Sequence, residues 1–238
     1  MERDDFLTAL QGSARDLQAK FPKRGADWVC SLCAGRSHEG KDLTVDAVYE
    51  LMCCFAFVVA LKTRVTDLRV IQSPDTSGFR FPMKPGAKNS FAFFCFEHEG
   101  VTYDVCCGTE VPTEKDEPPE APDISLQKHD RALPDHDRRC GKPVALWDAK
   151  YHEDRISKSD VQQMSWWCDI FEIPKCCNGD ILGSIMPGIF QVSAVLTNAP
   201  RKKINKRQLI KRRFSVVFNY LGNDSGCAPE PSRSDHLL

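Results

Sequence analysis

Val144-Ala145-Leu146-Trp147-Asp148-Ala149-Lys150-Tyr151 is the stretch whose reading decides the fold. It opens with four apolar residues, which read as a buried strand. Side chains two apart on a strand share a face, so Asp148 and Lys150 emerge side by side, a carboxylate next to an ammonium. A strand that is apolar on entry and charged at its exit predicts the centre of a sheet with a polar rim.

Downstream, Ser157 with Asp160 three residues later forms a capping-box signal. The helix it opens is expected to run to about Glu172, with Val161, Met164, Cys168 and Phe171 on one face and Pro174 marking its end. Ile189 to Leu196 reads as a further strand, Arg201 to Arg213 as a basic segment, and Phe214 to Leu221 as a last strand. The tail from Asn223 is rich in Ser, Pro and Asp and is expected to fray.

Upstream, residues 128–142 form a charged loop and Ile124 to Gln127 a strand, which Asp123 opens in the phrase Ala121-Pro122-Asp123-Ile124. Glu110 to Asp123 carries six acids and four prolines in 14 residues and reads as an exposed loop delivering Asp123 to its strand. Phe91 to Glu97 and Val101 to Cys107 predict a hairpin turning at His98-Glu99-Gly100. Residues 73–90 form a loop rich in Ser, Pro, Gly and Lys. Before it, Val45 to about Thr63 predicts a helix capped by Thr44, with Asp46 favourably placed in the first turn. That helix is apolar nearly all round and should be deeply buried, so Glu50 within it needs a partner. Residues 4–20 show helical spacing of Phe6, Leu10, Ala14 and Leu17. These elements predict an α/β fold, a mixed central sheet flanked by helices. The expected divisions are a helical N-terminal extension over 1–42, the main domain over 43–222 and a flexible tail over 223–238.

The chain has 238 residues, 42% hydrophobic and 27% charged, which predicts a packed core rather than disorder. Its net charge of −1 does not by itself announce a nucleic-acid binder. The longest apolar run, Leu51 to Leu61, is 11 residues, too short to span a bilayer, so no membrane partner is expected. No signal-peptide apolar region follows the charged start Met1-Glu2-Arg3-Asp4-Asp5, which makes the cytoplasm, with mostly reduced thiols, the default location. Among the 12 cysteines, the doublets Cys53-Cys54, Cys106-Cys107 and Cys176-Cys177 read as small buried hydrophobes. A lone Cys30-Ser31-Leu32-Cys33 falls short of a structural zinc site, which needs four ligands, and packed thiols are the simpler reading.

Two carboxylates and a lysine on neighbouring strands suit hydrolysis of a phosphodiester. That reaction needs a more nucleophilic water and a neutralised leaving oxygen, and a bound divalent cation serves both. Magnesium takes hard oxygen ligands and keeps several waters, so a few carboxylates suffice. Asp123, Asp148 and Lys150 supply these groups, and Glu50 adds a carboxylate if its helix packs on the sheet. The plainer alternative for Asp148 and Lys150 is an ion pair at a strand end.

The order helix with Glu50, strands, Pro122-Asp123, strand with Asp148-Ala149-Lys150, helix, strand resembles the PD-(D/E)XK nuclease superfamily, with its restriction-endonuclease-like fold. The phrase Asp148-Ala149-Lys150-Tyr151, followed by a helix bearing Asp160-Val161-Gln162-Gln163, looks most like McrC-type restriction subunits. The resemblance covers about residues 43–197. It implies that Asp123 and Asp148 hold Mg²⁺ (or Mn²⁺), that Lys150 serves the attacking water, that Glu50 completes the metal site, and that Gln162 or Gln163 sits nearby. It further implies DNA cleavage, a defence role against foreign DNA, and a partner protein, a motor subunit or a second copy of the chain as associate. The charged insert between Asp123 and Asp148 departs from the family pattern and offers rival acids at Asp130, Asp135 and Asp137. The hairpin over 91–107 departs from it too, adding to the usual first strand.

Arg201, Lys202, Lys203, Lys206, Arg207, Lys211, Arg212 and Arg213 put eight cations and no acid into 13 residues. Such a run suits the phosphate backbone of DNA, and Arg80, Lys84 and Lys88 could extend it. Contacts of this kind position a strand without reading its sequence. A solubilising or protein-binding face is the alternative. Two rivals to DNA cleavage stand beside it: a catalytically inactive module that binds nucleic acid or a partner protein, and an RNA-directed nuclease.

Overall fold

The computed structural model describes residues 45–62, 64–65, 67–71, 91–113, 118–129, 141, 143–152, 156–173, 193–199, 214–217 and 220. They form two helices and a seven-stranded mixed sheet. The elements are α1 (Val45–Lys62), β1 (Arg69–Ile71), β2 (Phe93–His98), β3 (Val101–Cys107), β4 (Ile124–Lys128), β5 (Pro143–Lys150), α2 (Lys158–Ile170), β6 (Ala194–Thr197) and β7 (Ser215–Val217). Strand order in the sheet follows chain order. Pairing is antiparallel from β1 to β5, then parallel for β5–β6 and β6–β7. β5 therefore lies on the seam between the two regimes.

Among the described residues, each face of the sheet carries one helix. α1 holds no Gly or Pro, and its ends match the macrodipole, with Asp46 in the first turn and Lys62 in the last. It packs across β5 and β3 and buries Tyr49, Met52, Phe55, Phe57, Val58 and Leu61. Phe57 lies 4.6 Å from the Trp147 ring, and Phe55 meets Phe94 edge-on at 6.2 Å. Ala145, Ala149 and Ala194 on this side leave room for those rings. α2 covers the opposite face. Its Val161, Met164, Trp167, Cys168 and the following Phe171 pack with Leu146, Val195 and Phe214. The expected capping box at Ser157 and Asp160 is present in both directions.

The hairpin closes tightly. Glu99 (φ 49°) and Gly100 (φ 74°) form its two-residue turn, both on the left-handed side that such turns require, with His98 paired to Val101. Several expectations change. β1 has no counterpart in the sequence reading. The last strand spans Ser215–Val217 rather than running to Leu221, and Tyr220 sits in a turn whose N–H donates to Thr197 O (2.9 Å). The acidic stretch before Asp123 is not simply exposed. Val111 and Glu120 bridge it, and Glu120 Oε2 accepts from Trp167 Nε1–H (2.9 Å), which ties it to α2.

The Cys106-Cys107 doublet splits, while Cys176 and Cys177 lie outside the described residues. Neighbours on a strand point to opposite faces, so Cys107 turns toward α1 and forms a disulfide with Cys54, while Cys106 faces away. This corrects the reading of Cys54 and Cys107 as reduced, buried hydrophobes. Cys53, Cys95, Cys106 and Cys168 are buried thiols. No helix among the described residues is long and apolar enough to cross a membrane. The helix expected over 4–20, the Thr44 cap, the 73–90 loop, Cys30 and Cys33, the basic segment and the tail lie outside the described residues.

Candidate functional site

Asp123 stands at the entrance of β4, and its position is fixed from both sides. Gly108 N–H donates to its carbonyl (2.8 Å), and its own Oδ2 accepts from the backbone N–H of Ala149 (2.7 Å). The second bond reaches into β5 between Asp148 and Lys150. Alternation along β5 turns Trp147 and Ala149 into the α1 side of the core, leaving Asp148 and Lys150 together on the other face. Lys150 Nζ lies 2.8 Å from Asp148 Oδ1 and 3.7 Å from Asp123 Oδ2. The structure thus brings Asp123, Asp148 and Lys150 together at the seam of the sheet.

Asp148 is fully buried (0% exposed), and among the described residues neither of its carboxylate oxygens accepts a hydrogen bond of adequate geometry. The Lys150 ammonium, 2.8 Å from Oδ1, is its charged partner in an ion pair. Burial first, and then the charge of Asp123, push the Asp148 carboxyl well above the usual range, against the pull of Lys150. Burial works to lower the pKa of Lys150, but the carboxylates of Asp123 and Asp148 outweigh it and hold the ammonium charged.

Glu50 joins this group electrostatically from α1. Burial, then Asp123, push its carboxyl up to about 9, with Lys150 opposing and Asp148 and Asp46 adding to the rise. The partner that the sequence demanded for Glu50 is therefore a proton, retained because burial, and then the acids around it, disfavour its charge. Tyr49, the preceding residue, anchors that stretch of α1. Its hydroxyl donates to Tyr220 O (3.0 Å), and its ring meets Tyr151 edge-on at 6.0 Å.

A hard divalent cation fits this donor set. Two carboxylates satisfy magnesium's modest demand for protein ligands, the oxygens of Asp148 lack directed partners among the described residues, and a cation would relieve the repulsion that adds to the burial of Glu50. Among the described residues no group of three His, Cys, Asp or Glu side chains is arranged to hold a metal. The fit therefore rests on Asp123 and Asp148, with Glu50 beside them.

Gln162 and Gln163, which the resemblance sets near the site, lie on the exposed side of α2. α2 turns Val161, Met164 and Cys168 to the sheet, and the helical period leaves Gln162 and Gln163 exposed. Neither shares a hydrogen bond or ion pair with the trio among the described residues. Arg201, Lys202, Lys203, Lys206, Arg207, Lys211, Arg212 and Arg213 lie outside the described residues, as do Asp130, Asp135 and Asp137.

The sequence reading missed His152, whose Nε2 lies 2.8 Å from Asp160 Oδ2. It lies two residues beyond Lys150, where no motif singles it out. Compared with known proteins, the chain matches no protein-family model, no curated protein and no solved structure.

Proposed function

We propose that this chain is a divalent-metal-dependent nuclease that hydrolyses phosphodiester bonds in DNA, on a PD-(D/E)XK, restriction-endonuclease-like domain. One observation carries the reading. Residues 27 positions apart in the chain converge so that Lys150 Nζ stands 2.8 Å from Asp148 and 3.7 Å from Asp123. The sheet supports it, since a helix bearing Glu50 precedes an antiparallel meander, and a helix after Lys150 leads to a parallel strand.

In this reading Asp123 and Asp148 hold Mg²⁺ or Mn²⁺, with Glu50 as an auxiliary ligand once it gives up its proton. When bound, the ion supplies a more acidic water and neutralises the leaving oxygen. The chain's own part is orientation. The Ala149 N–H fixes the Asp123 carboxylate, and Lys150, charged and tethered between two acids, presents its ammonium to the attacking water and the developing phosphorane charge. The basic run from Arg201 to Arg213 holds the DNA backbone. A defence role, and a motor subunit, partner protein or second copy of the chain as associate, follow from the resemblance alone.

The test is cleavage of plasmid DNA with Mg²⁺, with EDTA, and by Asp148→Ala and Lys150→Ala. Cleavage by the wild type with Mg²⁺ alone, lost in both variants, is expected. Cleavage that survives both substitutions refutes the site, and degradation of RNA alone refutes the choice of substrate.

A second reading has its own observation. Asp148 is fully buried and already neutralised by Lys150, as a structural ion pair would be. The chain is then an inactive module that binds nucleic acid or a protein, and binding without cleavage by the wild type supports it.

A further inference from the structure

His152 is the strongest group that the proposed reaction leaves unused. Asp148 and Lys150 occupy one face of β5. Tyr151 turns to the other, where its ring meets Tyr49 of α1. His152 follows just past the end of β5, and its ring meets Asp160 of α2, the helix that covers the face to which Leu146 and Asp148 alternate. Its backbone is fixed there, because His152 N–H donates to Asn198 Oδ1 (2.8 Å) just past Thr197, the β6 residue in register with Lys150.

The ring is fixed as well. Asp160 Oδ2 faces Nε2 at 2.8 Å, and the same oxygen accepts from Ser157 N–H (2.9 Å) and Ser157 Oγ–H (2.6 Å). These bonds hold Asp160 as a carboxylate, below its ordinary pKa although burial opposes this, so it accepts from the imidazole. The other ring nitrogen, Nδ1, has no hydrogen-bond partner among the described residues, and the side chain is 27% exposed. An imidazole bonded to a carboxylate through one nitrogen can, when protonated, donate from the other to an anion.

We propose that His152 is a substrate-binding residue of this site, contacting through Nδ1 a backbone phosphate of the nucleic-acid strand next to the scissile one. The proposal rests on the nuclease reading. It gives the site what its charge balance needs. Among the described residues Asp123 and Asp148 face the one ammonium of Lys150, so a polyanion approaching the rim gains from a further donor there. Asp160 is then a positioning residue acting through His152.

The experiment measures binding of a fluorescein-labelled oligonucleotide to the full chain by anisotropy in EDTA, where no cleavage occurs, beside KM and kcat for plasmid cleavage in Mg²⁺. His152→Gln is expected to weaken binding about tenfold, the scale of one charge-assisted hydrogen bond, and to raise KM more than it lowers kcat. His152→Arg, which keeps a cationic donor, is expected to bind within about threefold of wild type. Wild-type affinity and KM in His152→Gln overturn the proposal and leave the nuclease reading standing. Equal losses in both variants, accompanied by a lowered Tm, also overturn it by assigning His152 a structural role. A wild-type chain that neither binds nor cuts overturns both readings.

Discussion

Trp147 and Asp148 are adjacent, equally buried, and opposite in what their burial achieves. Trp147 enters the α1 face, packs 4.6 Å from Phe57 and removes a large apolar surface from water. Asp148 enters the other face, where its carboxylate loses hydration and gains an ammonium but no directed hydrogen bond. The first burial stabilises the fold. The second costs free energy, and the fold tolerates it because the surrounding core is secure. One strand thus separates stability and chemistry by the period of two along its backbone.

Swapping the two roles is the sharpest way to break this comparison. In the nuclease reading Asp148→Asn should reduce plasmid cleavage about 10⁴-fold, equivalent to about 5 kcal/mol in the barrier, while the Tm holds because the Lys150 ammonium keeps Asp123 as its partner. Trp147→Ala should do the reverse, lowering stability by about 3–5 kcal/mol in denaturant titration through the cavity it leaves under α1. A marked loss of Tm in Asp148→Asn would mean that the ion pair is structural, as in the second reading.

A finer test lies at Glu50. Its pKa is raised from the ordinary 4.5 to about 9 in the folded chain. Between those values the folded state keeps a proton that the unfolded state has lost, so its contribution to stability is complete below about pH 4.5 and disappears as pH rises through 9. Glu50→Gln should flatten the metal-free Tm profile over that window and raise the Tm at pH 8 by about 3–5 °C. A profile identical to wild type would detach Glu50 from the carboxylate cluster. The smallest expected effect is at Ser157→Ala, which removes the α2 cap and should cost about 1 kcal/mol in denaturant titration.

The same contrast explains what could be read from the sequence. Period two along Val144–Lys150, the apolar run of α1 and the Ser157–Asp160 cap are local patterns, and local patterns translate directly into faces and ends of elements. The pairing of Asp148 with Lys150 belongs to this class, since two residues on one strand need no knowledge of the fold to meet. The approach of Asp123 to Ala149 N–H depends on the β4–β5 register, which the sequence supports only through the order of its strands. The Cys54–Cys107 bond, the Val111–Glu120 bridge and the His152–Asp160 contact join elements whose meeting depends on helix placement. No spacing along the chain announces them. Gln162 rests on the resemblance alone, and the rotation of α2, set by Val161 and Met164, leaves its side chain exposed.

The agreement between strand order and chain order has a kinetic consequence. From β1 to β5 every strand docks beside its immediate predecessor, a topology of short-range closures that assembles quickly. Asp123, Asp148 and Lys150 all belong to that zipper, whereas the parallel additions of β6 and β7 need crossovers and long loop closures. During refolding the acidic cluster should therefore form early, and any slow phase should report the late arrival of the two parallel strands.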